Sequence, residues 1–317
     1  MTPTWWRMAR LFGGLAVLGV VAARVGGAPF LDGLRTVDGW TLVAALAIAV
    51  PTTACCAWRW SLVARGLGVA LPLRAAVAAC YQSQLLNTVL PGGVLGDLHR
   101  AVRHGHDVGD TARGVRAVVW ERLAGQATQV AVAAVVLVLL PSPVHSSAPG
   151  TACAAALLVA VLSVAVLAGR RPSRPRDCLW ARSVRVAARD LREGLLTRRT
   201  WPGVVVASVL AVAGHVATFL VAARTAGVVE PATRMVPLGL LVLLAMAVPL
   251  NVAGWGVREG AAAWAFGAAG LGAAQGVSTA VVYGVMVLVA ALPGAVVLVV
   301  AWLRGSVPGP REGAAHG

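Results

Sequence analysis

Long apolar segments alternate with short arginine-bearing segments along nearly the whole chain. Most of the apolar segments approach the ~20 residues that a helix needs to cross a bilayer. They cover residues 11–23, 39–58, 115–140, 151–168, 201–222 and 277–303. The pattern predicts an all-α polytopic membrane protein with about six to eight transmembrane helices, the number depending on how two further apolar segments are treated.

These two further segments are 75–90 and 235–249. They differ from the others because a proline follows the first and ends the second, and glycines come soon after each proline. Proline ends a helix and glycine loosens the backbone, so we expect the chain to break there. At membrane depth, irregular backbone is tolerated only where protein surrounds it or where it lines a hydrated cavity. We therefore predict two broken or re-entrant elements, with breaks at Pro91, Gly92 and Gly93 and at Pro249, Gly254 and Gly256.

The arginines constrain the topology. Segment 170–200 holds ten arginines against three acidic residues, and short basic loops of membrane proteins stay in the cytoplasm. If both broken elements are re-entrant, every strongly basic segment and both termini lie inside, and the second half of the chain repeats the first upside down. We predict a single membrane domain, 1–317, with inverted-repeat halves of approximately 1–140 and 151–303, a cytoplasmic basic loop at 170–200 and a short tail at 304–317.

Two polar regions lie beside these elements. Arg59 and Trp60 follow the second span, and both residue types favour the membrane interface, so we expect them at its cytoplasmic end. The stretch from Asp97 to Arg116 is too polar to touch lipid. We therefore expect this stretch in the cytoplasm or against water.

The composition agrees with a membrane protein, since 58% of the residues are hydrophobic and only 12% are charged, against ~25% in a soluble domain. The net charge of +15 would suit nucleic acid, but the arginines occupy the loop positions of a membrane protein. We therefore expect no nucleic-acid partner. Every basic residue is arginine, and the chain is rich in Ala, Val and Gly, which favours a bacterial source and the bacterial inner membrane.

Six charged residues lie near the breaks or inside predicted spans: Asp97, Arg100, Glu121, Arg122, Arg258 and Glu259. Burial of a charge in hydrocarbon costs at least ~2.5–3.5 kcal/mol, so each needs a partner or water. One interpretation is a hydrated cavity whose arginines hold an anionic group, because the planar guanidinium donates two hydrogen bonds to phosphate. In the alternative, the neighbours Glu121–Arg122 and Arg258–Glu259 form ion pairs that only fix helix packing.

The sequence gives little support to an enzyme or a metal protein. The histidines of 99–106 and nearby aspartates match no zinc motif and are better explained by a solvated polar loop, so we expect no metal and no cofactor. Protease, hydrolase and nucleotide-binding motifs are also missing from the sequence. These observations favour a protein that is not an enzyme.

The residues around the breaks form an ordered pattern: Asn87-x-x-Leu90-Pro-Gly-Gly-x-x-Gly-Asp97-x-x-Arg100, then Glu121-Arg122, then Pro249-x-x-x-x-Gly-x-Gly-x-Arg258-Glu259. This pattern resembles the lysylphosphatidylglycerol synthase transmembrane-region family, whose stand-alone members are also called flippase-like membrane proteins. The pair Arg59–Trp60 is similar too, and the resemblance covers nearly the whole chain.

The resemblance implies translocation of an anionic phospholipid or a lipid-linked precursor. It does not imply lipid synthesis, and we expect none because no soluble aminoacyltransferase domain accompanies the membrane region. The substrate-binding residues predicted in this way are Asn87, Pro91, Gly92, Gly93, Asp97, Arg100, Glu121, Arg122, Asn251, Gly254, Gly256, Arg258 and Glu259.

Two alternatives to translocation stay open. The protein is then either a non-transporting accessory subunit of a lipid-linked glycan or envelope pathway, which recruits a cytoplasmic enzyme through 170–200, or a membrane-embedded transferase acting on polyprenyl phosphates. In the transferase, Asp97 and Glu121 serve as acid-base groups.

Overall fold

A computed structural model describes residues 19, 23–90, 95–140, 186–247 and 256–305 of the chain. Some predicted elements lie outside the described residues. They are the span 151–168, the span 11–23 except for residues 19 and 23, most of the basic loop, and the tail after residue 305. The described residues form helices and connecting turns: α1 Ala28–Arg35, α2 Gly39–Gly66, α3 Leu73–Val89, α4 Leu95–Val108, α5 Thr111–Leu139, a π-helical turn Asp190–Leu195, α6 Trp201–Thr225, α7 Ala232–Met246, α8 Val257–Ala268, α9 Ala273–Ala291 and α10 Pro293–Gly305.

Four helical stretches among the described residues are long and apolar enough to cross a membrane. They are Gly39–Gly66, Thr111–Leu139, Trp201–Thr225 and Ala273–Val300, and the last one combines α9 with the start of α10. The prediction of an all-α polytopic membrane protein is confirmed for the described part of the chain. The predicted final span is divided at Leu292, because Pro293 begins α10 and has no amide hydrogen with which to continue the ladder of α9.

Each broken element consists of two short helices on either side of its break. Helix α3 ends at Val89 and α4 begins at Leu95, while α7 ends at Met246 and α8 begins at Val257. The residues between them, 91–94 and 248–255, lie outside the described part of the chain. The two helices of each element pack against each other.

The polar stretch after the first break is not the solvated loop that the sequence suggested. It forms the amphipathic helix α4, which packs against both α3 and α5. Its buried face carries Arg100, Ala101 and His104, while Leu98 and Arg103 are exposed. The helix places charged groups inside the bundle because each of them finds a partner there, as described below.

The described helices fall into two sets, α2–α5 and α6–α9. In each set a long helix comes first, two shorter helices follow, and a longer helix comes last. Helices α2 and α6, the first of each set, pack together. The last helix of each set packs on the first helix of the other set, α9 on α2 and α5 on α6. The second helix of each set contacts the last helix of the other, α3 with α9 and α7 with α5. An internal repeat, as predicted from the sequence, would give this reciprocity. The halves and their inverted orientation in the membrane stay a prediction, because the first span of each half lies almost entirely outside the described residues.

The bundle has its largest core where α6, α7, α8 and α9 meet. Phe219, Leu238, Phe266, Tyr283 and Met286 are fully or almost fully buried there. Another contact attaches the described end of the basic loop to α5, since Asp190 Oδ2 lies 2.9 Å from Arg116 Nε and accepts a hydrogen bond from Trp120 Nε1 at 3.3 Å.

The packing of α8 on α9 generates a first prediction. A methyl group on Gly276 would overlap the backbone carbonyl of Ala262, so Gly276→Ala forces the two helices apart. Overpacking of this kind costs about 1–3 kcal/mol, and we expect a lower unfolding temperature in detergent solution. The control is Gly267→Ala at an exposed position of α8, where an added methyl meets nothing within 4 Å. Equal melting temperatures for the two variants would contradict the prediction.

Candidate functional site

A buried carboxylate from α5 bridges two arginines from different helices. Glu121 Oε1 accepts a hydrogen bond from Arg59 Nε on α2 at 2.9 Å and another from Arg59 Nη2. Its second oxygen, Oε2, accepts from Arg100 Nη2 on α4 at 2.8 Å. The three residues are 1%, 7% and 4% exposed, respectively. Charges this deeply buried persist only when they are paired and hydrogen-bonded, so this contact ties α2, α4 and α5 together.

A second carboxylate, Asp97, lies in the first turn of α4. Its Oδ1 accepts hydrogen bonds from Ser83 Oγ at 2.8 Å and from Arg122 Nη2 at 2.6 Å. Its Oδ2 accepts from Asn87 Nδ2 at 3.1 Å, and Arg100 Nη2 lies 3.2 Å from Oδ1. Arg100 therefore lies between the two carboxylates and joins them into one network.

Asn87 holds the two sides of the first break together. Besides donating to Asp97, it accepts a hydrogen bond through Oδ1 from the Gly96 amide at 2.8 Å. Gly96 lies so close to the Ser83 carbonyl that any side chain there would overlap it. This close backbone approach brings the start of α4 onto α3 and sets the position of Asp97.

The guanidinium of Arg100 is held by more than its ion pairs. Its Cζ lies 4.4 Å from the centroid of a Trp60 ring, a cation–π distance, and its Nη1 donates to Cys80 Sγ at 3.2 Å. The Trp60 ring meets His104 edge-on at 5.2 Å between centroids. Arg100 is consequently fixed from three helices, which suits a positioned charge better than a mobile one.

Arg59 is a site residue that the sequence interpretation missed. We expected it at the cytoplasmic end of the second span, but α2 continues through Gly66 and buries Arg59 among its neighbours. Its guanidinium lies against Gly125 of α5, where a Cβ would come within 2.9 Å of Cζ. The sequence feature that could have indicated this position is Gly125, one helical turn after Glu121. A glycine there leaves room for a large planar group.

The network forms one wall of a cavity of about 300 Å³ inside the bundle. Arg59, Arg100, Glu121 and Arg122 line it, and the side chain of Arg122 is 48% exposed. Around the described network, three guanidinium charges face the two carboxylates of Glu121 and Asp97, so one positive charge is left over. The other polar lining residues carry hydroxyl, amide or imidazole groups: Thr52, Thr53, Ser83, Gln84, Asn87, Thr88, His215 and Thr218.

The charged pair at the second break forms a separate cluster. Arg258 donates from Nε and Nη2 to Glu259 Oε1 at 2.9 and 2.6 Å, and Glu259 Oε2 accepts from the Gly256 amide at 2.7 Å. Gly256 has φ of 103°, a conformation that glycine adopts without strain. Neither Arg258 nor Glu259 is among the described residues that line the cavity.

The predicted site residues therefore divide into three sets. Asn87, Asp97, Arg100, Glu121 and Arg122 come together, Gly256, Arg258 and Glu259 form the second cluster, and Pro91, Gly92, Gly93, Asn251 and Gly254 lie outside the described residues. The adjacent pair Arg258–Glu259 does form an ion pair. The pair Glu121–Arg122 does not, because successive residues of a helix point about 100° apart and each finds a different partner.

The fold and the site define a multi-pass helical membrane protein with a buried, positively charged polar cavity. The chain belongs to the lysylphosphatidylglycerol synthase transmembrane-region family, whose sequence profile matches residues 7–294. No curated protein matches the chain. Membership confirms the resemblance drawn from the sequence pattern and does not name a lipid.

The network generates a second prediction. Glu121→Gln leaves Arg59 and Arg100 buried without the carboxylate between them, and breaking a buried ion pair from one side costs about 3–5 kcal/mol. We expect a large fall in the unfolding temperature, or loss of monodisperse protein, measured by size-exclusion chromatography after heating. Glu230→Gln is the control, since the Glu230–Arg234 pair is partly exposed and contributes at most ~1 kcal/mol. A Glu121→Gln protein as stable as this control would show that Glu121 is not needed to compensate the arginines.

Proposed function

We propose that the protein binds a lipid with an anionic head group in the cavity beside Glu121 and moves it between the leaflets of the bacterial inner membrane. The observation that carries this proposal is the excess of one guanidinium charge on a cavity wall inside an apolar bundle. An uncompensated charge at membrane depth is costly and needs an anion or water. A phosphate meets this need because its oxygens accept paired hydrogen bonds from arginine.

The three arginines have different parts in this proposal. Arg59 and Arg100 are almost fully buried and are held by Glu121, so they mainly set a fixed positive field. Arg122 lines the cavity with half of its side chain exposed, and its carboxylate partner, Asp97, is not itself a lining residue. Arg122 is therefore the residue that we assign to direct contact with the phosphate.

The cavity also favours a particular class of anionic head group. Several lining hydroxyls donate to their own helix, as Thr52 does to the Ile48 carbonyl and Thr218 to the Gly214 carbonyl, which leaves their oxygens as acceptors. A head group with neutral hydroxyls, such as a glycerol or a sugar attached to phosphate, supplies the matching donors.

A cationic head group finds no comparable partner among the described residues of the cavity. Both carboxylates of the network already bind arginines, and the undescribed segments of the two breaks, 91–94 and 248–255, contain no acidic residue. An ammonium group would add to the positive charge that is already in excess. We therefore propose a substrate whose head group is anionic and hydroxylated rather than aminoacylated.

The third prediction concerns Arg122→Gln. The change removes one charged hydrogen bond to the head group, which corresponds to about tenfold or more in affinity. We expect mass spectrometry of the detergent-purified protein to show one anionic lipid class enriched on the wild type and depleted on the variant. The control is Arg234→Gln, whose side chain is equally exposed at 47% and does not line the cavity. The same bulk lipids on all three proteins would favour the accessory-subunit alternative instead.

The fourth prediction compares two lipids that differ in one ester. Phosphatidylglycerol carries one negative charge and free hydroxyls, whereas its lysyl ester carries a net positive charge. Because no carboxylate of the described cavity is available to an ammonium group, we expect the purified protein to retain phosphatidylglycerol about tenfold better than the lysyl ester. Competition between the two lipids, followed by mass spectrometry, measures the ratio. Preference for the lysyl ester would contradict the assignment of the head-group class and leave the Arg122 experiment to decide whether lipid binds there at all.

A further inference from the structure

Arg100 borders a second cavity besides the one described above. This cavity, which we call the vestibule, has a volume of about 520 Å³ and lies between α3, α4 and α10. Its polar lining comes from Gln82 of α3 and from His99, Arg100, Arg103 and His104 of α4. Arg100 also lines the inner cavity, so it borders both spaces.

The vestibule is basic and has no acidic residue among those described around it. Arg103 is exposed, and its Nη1 donates to the neutral Gln82 Oε1 at 3.3 Å, so this contact positions the guanidinium without cancelling its charge. No described carboxylate forms an ion pair with Arg103. The vestibule therefore has the charge and the donors that an anionic group requires.

An apolar groove of about 810 Å³ adjoins the vestibule along α10. The two spaces share the lining residues Ala78, Val296 and Val297, so they lie side by side against the same part of α3 and α10. The groove is lined almost entirely by apolar side chains of α2, α3, α9 and α10, and Val296 is 64% exposed. An exposed apolar channel that ends at a basic pocket is complementary to a single amphipathic molecule with an anionic end.

We propose that the vestibule and the groove together form a lateral docking site for one anionic phospholipid, with its phosphate at Arg103 and Arg100 and one acyl chain along α10. This inference rests on the proposed function, because it supplies the path by which the lipid reaches the inner cavity. The occupant is a lipid and not a free anion, since a free phosphate would leave the adjoining groove without a function.

The test uses photoactivatable phosphatidylglycerol and phosphatidylcholine that carry the same diazirine-labelled acyl chain, each added in a small amount to nanodiscs of phosphatidylcholine that contain the purified protein. Mass spectrometry then maps the labelled residues. We expect phosphatidylglycerol to label the groove residues about tenfold more than phosphatidylcholine does, because one charged contact has that effect. Equal labelling by both lipids would overturn the proposal and indicate bulk lipid only.

Two variants address the two parts of the docking site. Arg103→Gln removes the vestibule arginine that has no described carboxylate partner, while Arg100 stays paired with Glu121, so the change should abolish the preference for phosphatidylglycerol. Val297→Trp fills the shared wall and should abolish groove labelling by both lipids. Their matched controls are Arg113→Gln, an exposed arginine of α5 paired with Asp110, and Val299→Trp, which is exposed on α10 but does not line the groove. An unchanged preference in Arg103→Gln would also overturn the proposal.

The failure of this inference is distinguishable from failure of the proposed function. Arg122 does not line the vestibule, so Arg122→Gln should deplete retained lipid in detergent without changing the groove labelling. If Arg122→Gln depletes the lipid while the groove shows no preference, lipid binding in the inner cavity stands and the lateral site does not.

Discussion

The bundle depends on one electrostatic constraint, the compensation of buried guanidinium groups in a low-dielectric surrounding. Glu121 compensates both Arg59 and Arg100, and by doing so it joins α2, α4 and α5 at one point. One carboxylate does not balance two arginines, so the network extends to Asp97 in the first turn of α4. This second carboxylate reaches its position only because the chain breaks after α3 and returns through a tight Ser83–Gly96 contact. The return of α4 onto α3 is thus a condition for the buried charges.

The two packing sets solve the placement of a buried arginine in the same way and then differ. In each set, a guanidinium lies against a glycine of the last long helix, Arg59 at Gly125 and Arg258 at Gly284. Because glycine has no side chain, the planar group approaches the helix backbone closely there. At the second break the charges of Arg258 and Glu259 balance each other, and neither residue lines the cavity. At the first break a positive charge is left over on a cavity wall. Among the described residues, the two packing sets therefore place an arginine in the same way, and only the first set leaves an unbalanced charge at a cavity.

The sequence identified the residues of this network better than it identified their partners. Asp97 and Arg100 followed from the proline–glycine break, because charged groups next to an interruption in an apolar chain need a polar surrounding, and Asn87 followed from the family resemblance. Arg59 did not follow, since an arginine near the end of an apolar run looks the same whether it reaches the interface or stays buried. Whether Glu121 pairs with Arg122 or with Arg59 depends on which helices are neighbours in the fold. A single sequence contains no information on long-range contacts, so it does not determine the partner. The helical character of α4 was hidden for a similar reason, because its buried face is polar and not apolar.

The position of Arg100 connects the charge constraint with the proposed movement of lipid. A phosphate that leaves water for the interior of a membrane loses hydration, and fixed positive groups along its path reduce this cost. Arg100 borders both the inner cavity and the vestibule, while Arg103 lines the vestibule and Arg122 lines the inner cavity. A head group that passes from one space to the other therefore stays near a guanidinium throughout. Trp60 and Cys80 hold Arg100 on the boundary, so the same contacts that stabilise the bundle also keep the charge where such a passage needs it.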